Sequence, residues 1–328
     1  MRTRMLLLVF ALAAGVTALA GSAATRATAS PAATTKITVG VIPIADVAPI
    51  YLGVKKGFFR SQRLTVELRQ AAGGAAIIPS VVSGDYQFGF SNVVSELLAY
   101  SRGLKLQIIS HGVAGAKKAD QAWSGVLVKE GSSIRNVRDL AGKTISVNTL
   151  NNIGDVTIRE ALRKRGANPR SPRFVEIPFP DAIGALNAGR VDAAWVVEPF
   201  LTQGLVAGNR RVLANYEAVS PSLPIATYFT TKQYADRNAG VVSRFRRAMM
   251  RSLTYARKHP REARNIVLTY TRISSGVVTR MQLPSWPSTL NRGKVNLISS
   301  LMVRYGLIQS KPNLDGLLRL GGKAKKKK

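Results

Sequence analysis

The sequence predicts an α/β protein of two lobes, each a mainly parallel sheet flanked by helices, joined by a two-strand hinge. Short β-branched runs alternate with longer helical stretches from Ile37 onward, the rhythm of βαβ units. That rhythm restarts near residue 125, and a late apolar strand, Ile225 to Thr231, is placed to cross back. Two crossings imply residues 35–124 and 227–318 in one lobe and residues 125–226 in the other.

The opening strand is Ile37 to Ile42, followed by a helix from Ala48 to Lys56. Leu64 to Arg69 reads as the next strand, Ala75 to Ser83 as a helix, Tyr86 to Phe90 as a short strand and Val93 to Ser101 as a helix. Gly57, Gly84 and Gly103 fall where helices end, because glycine tolerates the left-handed conformation that closes them. Leu104 to Ser110 supplies a fourth strand, and Gly112 to Trp123 reads as a polar, basic connection. In the second lobe come a strand from Gly125 to Lys129, one from Thr144 to Val147, a helix from Asp155 to Arg165 and a strand from Phe174 to Ile177. A helix from Asp181 to Ala188, a strand from Val191 to Val197 and a helix from Pro199 to Ala207 complete it. Val241 to Leu318 is predominantly helical and is expected to pack on the first lobe.

The termini lie outside this pattern. Arg2 and Arg4, an apolar run from Met5 to Ala20 and small-residue sites at Ala18-Leu19-Ala20 and Ala27-Thr28-Ala29 have the layout of a secretory signal peptide. Residues 1–34 are therefore read as a signal peptide and flexible segment. The protein is expected to be exported, periplasmic or extracytoplasmic, or held by an uncleaved signal. Residues 319–328 form a basic tail ending Lys325 to Lys328. The chain has no cysteine, which excludes disulfides, Cys-ligated zinc and a catalytic thiol. Its 48 basic and 17 acidic residues give a formal charge of +31. The basic residues are scattered, with no recognition helix or zinc-finger spacing, so nucleic acid is not the expected partner. Contact with anionic lipid headgroups is the alternative that such a surface favours.

Several segments in series resemble one family, the bacterial binding proteins for nitrate, sulfonates, taurine and thiamine-precursor pyrimidines. They are Val39 to Pro43, Gly53 to Phe59, Leu64 to Leu68, Gly73-Gly74, Ser83-Gly84-Asp85 and Gly89 to Asn92. In the second lobe Val137 to Val147, Ala185 to Ala193 and Glu198-Pro199-Phe200 continue the likeness, which covers roughly Lys36 to Tyr305. The resemblance implies a type II periplasmic-binding-protein fold and the substrate-binding component of an ABC importer. It further implies a monomer that captures a small organic solute by hinge closure and presents it to the permease subunits.

Ligands of open α/β sheets sit at the carboxyl ends of strands beside helix N-termini. Four loops meet that condition. The first holds Asp46, which serves equally as a helix cap or a ligand contact. The second holds Ser91 and Asn92, of the type that caps a helix. The third runs from Asn148 to Asp155 and offers Thr149, Asn151 and Asn152, with Asp155 read as a cap. The fourth holds Trp195, a stacking surface or a core residue, and Glu198, a cap or an interlobe hydrogen-bond partner. Tyr228 on the returning strand either closes the back of the pocket or packs. Gly73-Gly74 before the Ala75 helix could let backbone amides approach an anion, but without a lysine and the full phosphate-loop spacing it reads as a tight turn. Asp46, Asp155 and Glu198 favour a planar, neutral or cationic solute.

No metal site, cofactor or catalytic motif is legible. His111 and His259 are the two histidines, and neither has a neighbouring Ser or Cys nucleophile motif. Two alternatives share the fold: an exported ligand sensor that docks on a receptor, and a pyrimidine-biosynthesis enzyme. The resemblance ties the enzyme to a cysteine-rich motif, which this chain lacks.

Overall fold

The computed structural model describes residues 34–318, so the signal peptide and the basic tail expected at the termini lie outside the described residues. The first segment comprises β1 (Thr35–Val41), α1 (Ala48–Lys55), β2 (Leu64–Gln70), α2 (Gly74–Ser83), β3 (Phe88–Asn92), α3 (Val93–Ser101) and β4 (Leu106–Ala114). The second comprises β5 (Ser124–Val128), β6 (Thr144–Val147), α4 (Ile153–Lys164), β7 (Arg173–Glu176), α5 (Phe179–Asn187), β8 (Ala193–Val197), α6 (Phe200–Val206), β9 (Arg210–Leu213) and α7 (Asn215–Val219). The chain returns through β10 (Pro224–Thr231), then α8 (Lys232–Arg237), α9 (Ala239–Lys258), α10 (Pro260–Asn265), α11 (Ser275–Arg280) and α12 (Arg292–Arg304).

The strands build two five-stranded sheets, in the orders β2-β1-β3-β10-β4 and β7-β6-β8-β5-β9. In each, four strands run one way, as expected of a mainly parallel sheet, and one runs against them. In the first, β1 pairs in parallel with β2 and β3, while β10 runs antiparallel to β3 and β4. In the second, β6 is parallel to β7 and β8, while β5 is antiparallel to β8 and β9. The cause is the crossing itself: β5 and β10 enter their sheets from the opposite lobe, and so against the direction of the βαβ strands.

Each sheet is closed by aromatic packing. Phe88 stacks on Phe245 of α9 at 3.9 Å between centroids, and Tyr228 lies 5.1 Å from Phe90. In the second lobe Trp123 meets Tyr216 edge-on at 5.2 Å, and Trp195 meets Phe179 at 5.3 Å. Fully burying each such ring contributes on the order of 2 kcal/mol.

Between the lobes, β4 and β10 extend their ladder beyond the first sheet: Gly115 N–H donates to Leu223 O and Ser222 N–H to Ala116 O, both at 2.8 Å. This is the expected two-strand hinge. The connection read as polar from Gly112 therefore begins as strand. Gly112 permits it, because a Cβ there would lie 2.6 Å from the Ala226 carbonyl oxygen. The return to the first sheet begins at Pro224, ahead of the boundary expected at residue 227.

The last helices do not pack on the first lobe alone. α12 rests on both α3 and α4, and α11 packs against α6. At the α4 contact the Glu160 carboxylate, 3% exposed, accepts from Arg163, from Arg304 at 3.3 Å and from the Tyr305 hydroxyl at 2.7 Å. Burial works to raise this carboxyl, but hydrogen bonds from Arg163 and Tyr305 outweigh it and hold the group at about 2. Its stabilisation is thus present above the ordinary 4.5 and lost as pH falls towards about 2. Glu160→Ala is expected to cost about 2 kcal/mol at neutral pH, checked by urea denaturation. The cost should vanish in acid.

Candidate functional site

The carboxyl ends of β1, β2 and β3 face those of β6 and β8, and the polar loops gather there. Ala45 N–H donates to Glu198 O at 2.9 Å across the gap, and Asn148 Nδ2 reaches Ala72 O at 3.4 Å. Gly73 lies against the opposite lobe, where a Cβ would sit 2.6 Å from Thr149 Cγ2 and 2.9 Å from Asn148 Nδ2. On the near side, a Cβ at Gly74 would sit 2.3 Å from Ser91 Oγ. Neither glycine is a tight turn: Gly73 is the extended N-cap of α2 and Gly74 its first residue. They are small because Thr149 and Asn148 press on one and Ser91 on the other, leaving no room for a Cβ.

α2 begins with no side-chain cap, so the amides of its first turn have no side-chain acceptor. Beside it the Ser91 hydroxyl is wholly buried and has no hydrogen-bond partner among the described residues. Asn92, by contrast, caps α3, its Oδ1 accepting from Ser95 N at 3.0 Å. Asn152 caps α4 through Gly154 N at 2.8 Å and donates to Asn148 Oδ1 and Thr149 Oγ1. It thereby fixes the two side chains that face Gly73. Asn151 takes a left-handed conformation, φ 55°, and its N–H donates to Asp155 Oδ2 at 2.9 Å. Its own side chain is exposed.

Asp46 lies in a 3-10 turn, Ala45–Val47, and does not cap α1. One of its carboxyl oxygens is buried and unpartnered, while its backbone oxygen accepts from Trp286 Nε1 at 3.0 Å. Burial pushes its carboxyl up to about 8. Three phenols are raised first by their own burial, Tyr216 and Tyr228 next by the Asp46 charge and Tyr270 next by Tyr51 and then Asp46. Tyr228 is fully buried and its hydroxyl is unpartnered among the described residues. Trp195 is core wall: its indole nitrogen donates to Ser124 Oγ at 2.9 Å, and its ring lies against Gly154 and Phe179.

Glu198 both caps and crosses. Its carboxyl accepts from Thr202 at 2.7 Å and 3.1 Å and from Gln282 N at 3.1 Å, tying the end of β8 to the segment after α11. Burial raises it to about 7, and Asp155, likewise buried, to about 6. Burial thus favours the neutral form of Asp46, one of the three carboxyls on which the expectation of a neutral or cationic solute rested. Burial and the Arg246 charge hold His111 down at about 4.

Two cavities open beside this cluster. One, about 290 Å³, lies between Ile42–Ile44 with Ala71 and Ala72 on one side and Phe179, Pro180 and Phe200 on the other. The second, about 440 Å³, shares Pro43, Gln70, Pro180 and Phe200 with it and extends to Tyr270 and Arg272. None of the nine residues singled out in the sequence lines either cavity. Sequence reasoning missed Tyr216, Tyr270, Gln282 and Trp286, which no local motif marks. It weighed an anion approach at Gly73-Gly74 and preferred a tight turn, where the structure places the start of α2. Among the described residues no cluster of His, Asp and Glu could hold a metal ion.

Comparison with known proteins bears on this geometry. A family model described as "NMT1/THI5 like" matches residues 44–263. The taurine-binding periplasmic protein of Escherichia coli is 27% identical over 192 residues, 57% of this chain and 56% of that protein. The match thus spans little more than half the length of that relative. A 4-amino-5-hydroxymethyl-2-methylpyrimidine phosphate synthase of Candida albicans is 22% identical over 227 residues, 66% of this chain and 65% of the enzyme. Among solved structures, the alkanesulfonate-binding protein of Xanthomonas axonopodis pv. citri bound to MOPS superposes with a TM-score of 0.71 at 17% identity, over 88% of this chain and 97% of its own. The fold is that of the periplasmic binding proteins.

Proposed function

This chain belongs to the NMT1/THI5-like family, and from that premise we propose that it is the exported substrate-binding component of an ABC importer, holding a small organic solute between its lobes. The observation that carries the reading is the uncapped, buried start of α2 with the unpartnered Ser91 hydroxyl on one side and Asn148 and Thr149 of the other lobe opposite. Free amides at a helix N-terminus and a spare hydroxyl suit an oxyanion, such as a sulfonate or carboxylate. The protonated Asp46 then does not repel the solute and offers it a donor. Asp46, Ser91, Asn92, Thr149, Asn151, Asn152, Trp195, Glu198 and Tyr228 form the proposed binding region, with Ser91, Thr149 and Asp46 as direct contacts and Asn92, Asn152 and Trp195 as supports.

Binding closes the gap because contacts to the second lobe offset the cost of closure. A binding role is favoured over an enzymatic one because no cysteine, metal cluster or nucleophile–histidine pair accompanies the polar groups among the described residues. The test is a thermal-shift and calorimetric screen against taurine, short alkanesulfonates, nitrate and pyrimidines. A solute at about 100 times its dissociation constant adds about 2.7 kcal/mol. Ser91→Ala should then weaken the best solute about tenfold, the loss of one hydrogen bond to a charged group. If no oxyanion stabilises the protein while a pyrimidine does, the anion assignment is wrong.

A further inference from the structure

We propose that the exposed basic face formed by α9 and the segment from Lys55 to Arg63 is a membrane-contact surface for anionic lipid headgroups. On α9, Arg244, Arg247 and Arg251 recur at three- and four-residue spacing and so share one side of the helix. That side meets the turn after α1: Arg244 donates to the Gln62 and Arg63 carbonyls, Arg247 to Gln62 Oε1 at 2.8 Å, and the Arg251 guanidinium lies 4.1 Å from the centroid of the Phe58 ring. Lys55, Arg60 and Arg63 are exposed on the same turn. These partners are neutral. None of the six cations is in an ion pair among the described residues, and Glu262, the carboxylate beside them, is already held by Lys56 at 2.7 Å and Tyr255 at 2.6 Å.

Six charges without counterions in one patch create a positive field. A headgroup layer of opposite sign is the partner this field fits, since guanidinium groups held by neutral carbonyls and a ring keep donors free for phosphate. The polypeptide also enters the fold inside this patch: Thr35 N–H donates to Arg63 O at 3.0 Å, and its hydroxyl accepts from Arg244 at 3.1 Å. The upstream sequence carries the apolar run Met5 to Ala20. The patch lies at the amino ends of β1 and β2, the solute gap at their carboxyl ends, so a surface bound here leaves the gap uncovered.

The chain from Thr34 to Lys328, whose described residues 34–318 fall in one compact unit, is sedimented with phosphatidylcholine vesicles lacking or containing phosphatidylglycerol. Binding is expected only to the anionic vesicles, and it should weaken as salt is raised. Reversal of three patch charges, R60E/R247E/R251E, should lower the partition coefficient at least about tenfold. The equal reversal K129E/R135E/R190E on the other lobe should change it far less. Thermal midpoints establish that each variant is folded. K55E/R60E, whose side chains make no hydrogen bond or ion pair in the fold, serves as a second patch variant should the triple unfold. Equal losses in the patch and control variants, or binding to neutral vesicles alone, overturn the proposal.

Discussion

Between about pH 6.5 and about pH 8.5 the unfolding midpoint is expected to fall, and Asp46→Asn to remove the share of that fall that Asp46 causes. The folded protein holds a proton on Asp46 up to about 8, whereas the unfolded chain releases it near 3.8. Over the whole interval between those values folding therefore binds a proton, and stability declines as pH rises. Asp46 alone accounts for ~2 kcal/mol of loss between about pH 6.5 and 8. Glu198, held at about 7, adds a smaller decline of the same sign, and Glu96, which burial holds well above the ordinary carboxylate range, adds another that persists in the variant. The window starts at 6.5 because below it His111, lowered to about 4, acts in the opposite direction. For a chain of this size ~2 kcal/mol is about 4 °C or more. Asparagine keeps the shape and cannot ionise, so at about pH 8.5 the variant should exceed the parent in stability by several kcal/mol. Parallel profiles for parent and variant would mean that another group titrates.

Gly154→Ala is expected to destabilise the second lobe by ~3 kcal/mol, near the upper end of what one added methyl costs in a packed core. The new Cβ would fall 2.4 to 2.8 Å from three atoms of the Trp195 indole. The ring cannot retreat, because Ser124 holds its nitrogen and Phe179 and Tyr216 flank it. Since Gly154 follows the α4 cap, the displacement also reaches Asn152, Thr149 and Asn148. Denaturant midpoints of G154A, W195L and the double variant would show the coupling: the double should cost less than the sum of the singles by at least about 1 kcal/mol. Additive costs would show that the indole moves freely.

Much of this arrangement was legible because periodicity is local. The apolar alternation of β1 and the turn glycines placed the first βαβ unit within about two residues. What stayed hidden is non-local. Strand direction in β5 and β10 depends on the path of the chain between lobes, which no window of sequence contains. β9 was missed altogether, since Arg210-Arg211-Val212-Leu213 is a short edge strand whose arginines interrupt the apolar signal. Similarly, strand-end logic singled out Ser91, Asp46 and the Asn148 to Asp155 loop, which the fold gathers at the ends of its strands. It could not tell that Asn152 is spent on holding its neighbours, or that Trp286 arrives 240 positions later to bond Asp46.

The insertion of β10 between β3 and β4 dictates an order of assembly. Ala226 pairs with Asn92, 134 positions earlier (226 − 92), whereas every strand of the second sheet lies within one uninterrupted stretch, Ser124 to Leu213. Closing the longer loop carries the greater entropic penalty, so the inner lobe can condense first and the outer one waits for its middle strand. During synthesis the edges of β3 and β4 stay unsatisfied until that strand emerges, and unpaired edges of this kind are prone to aggregate.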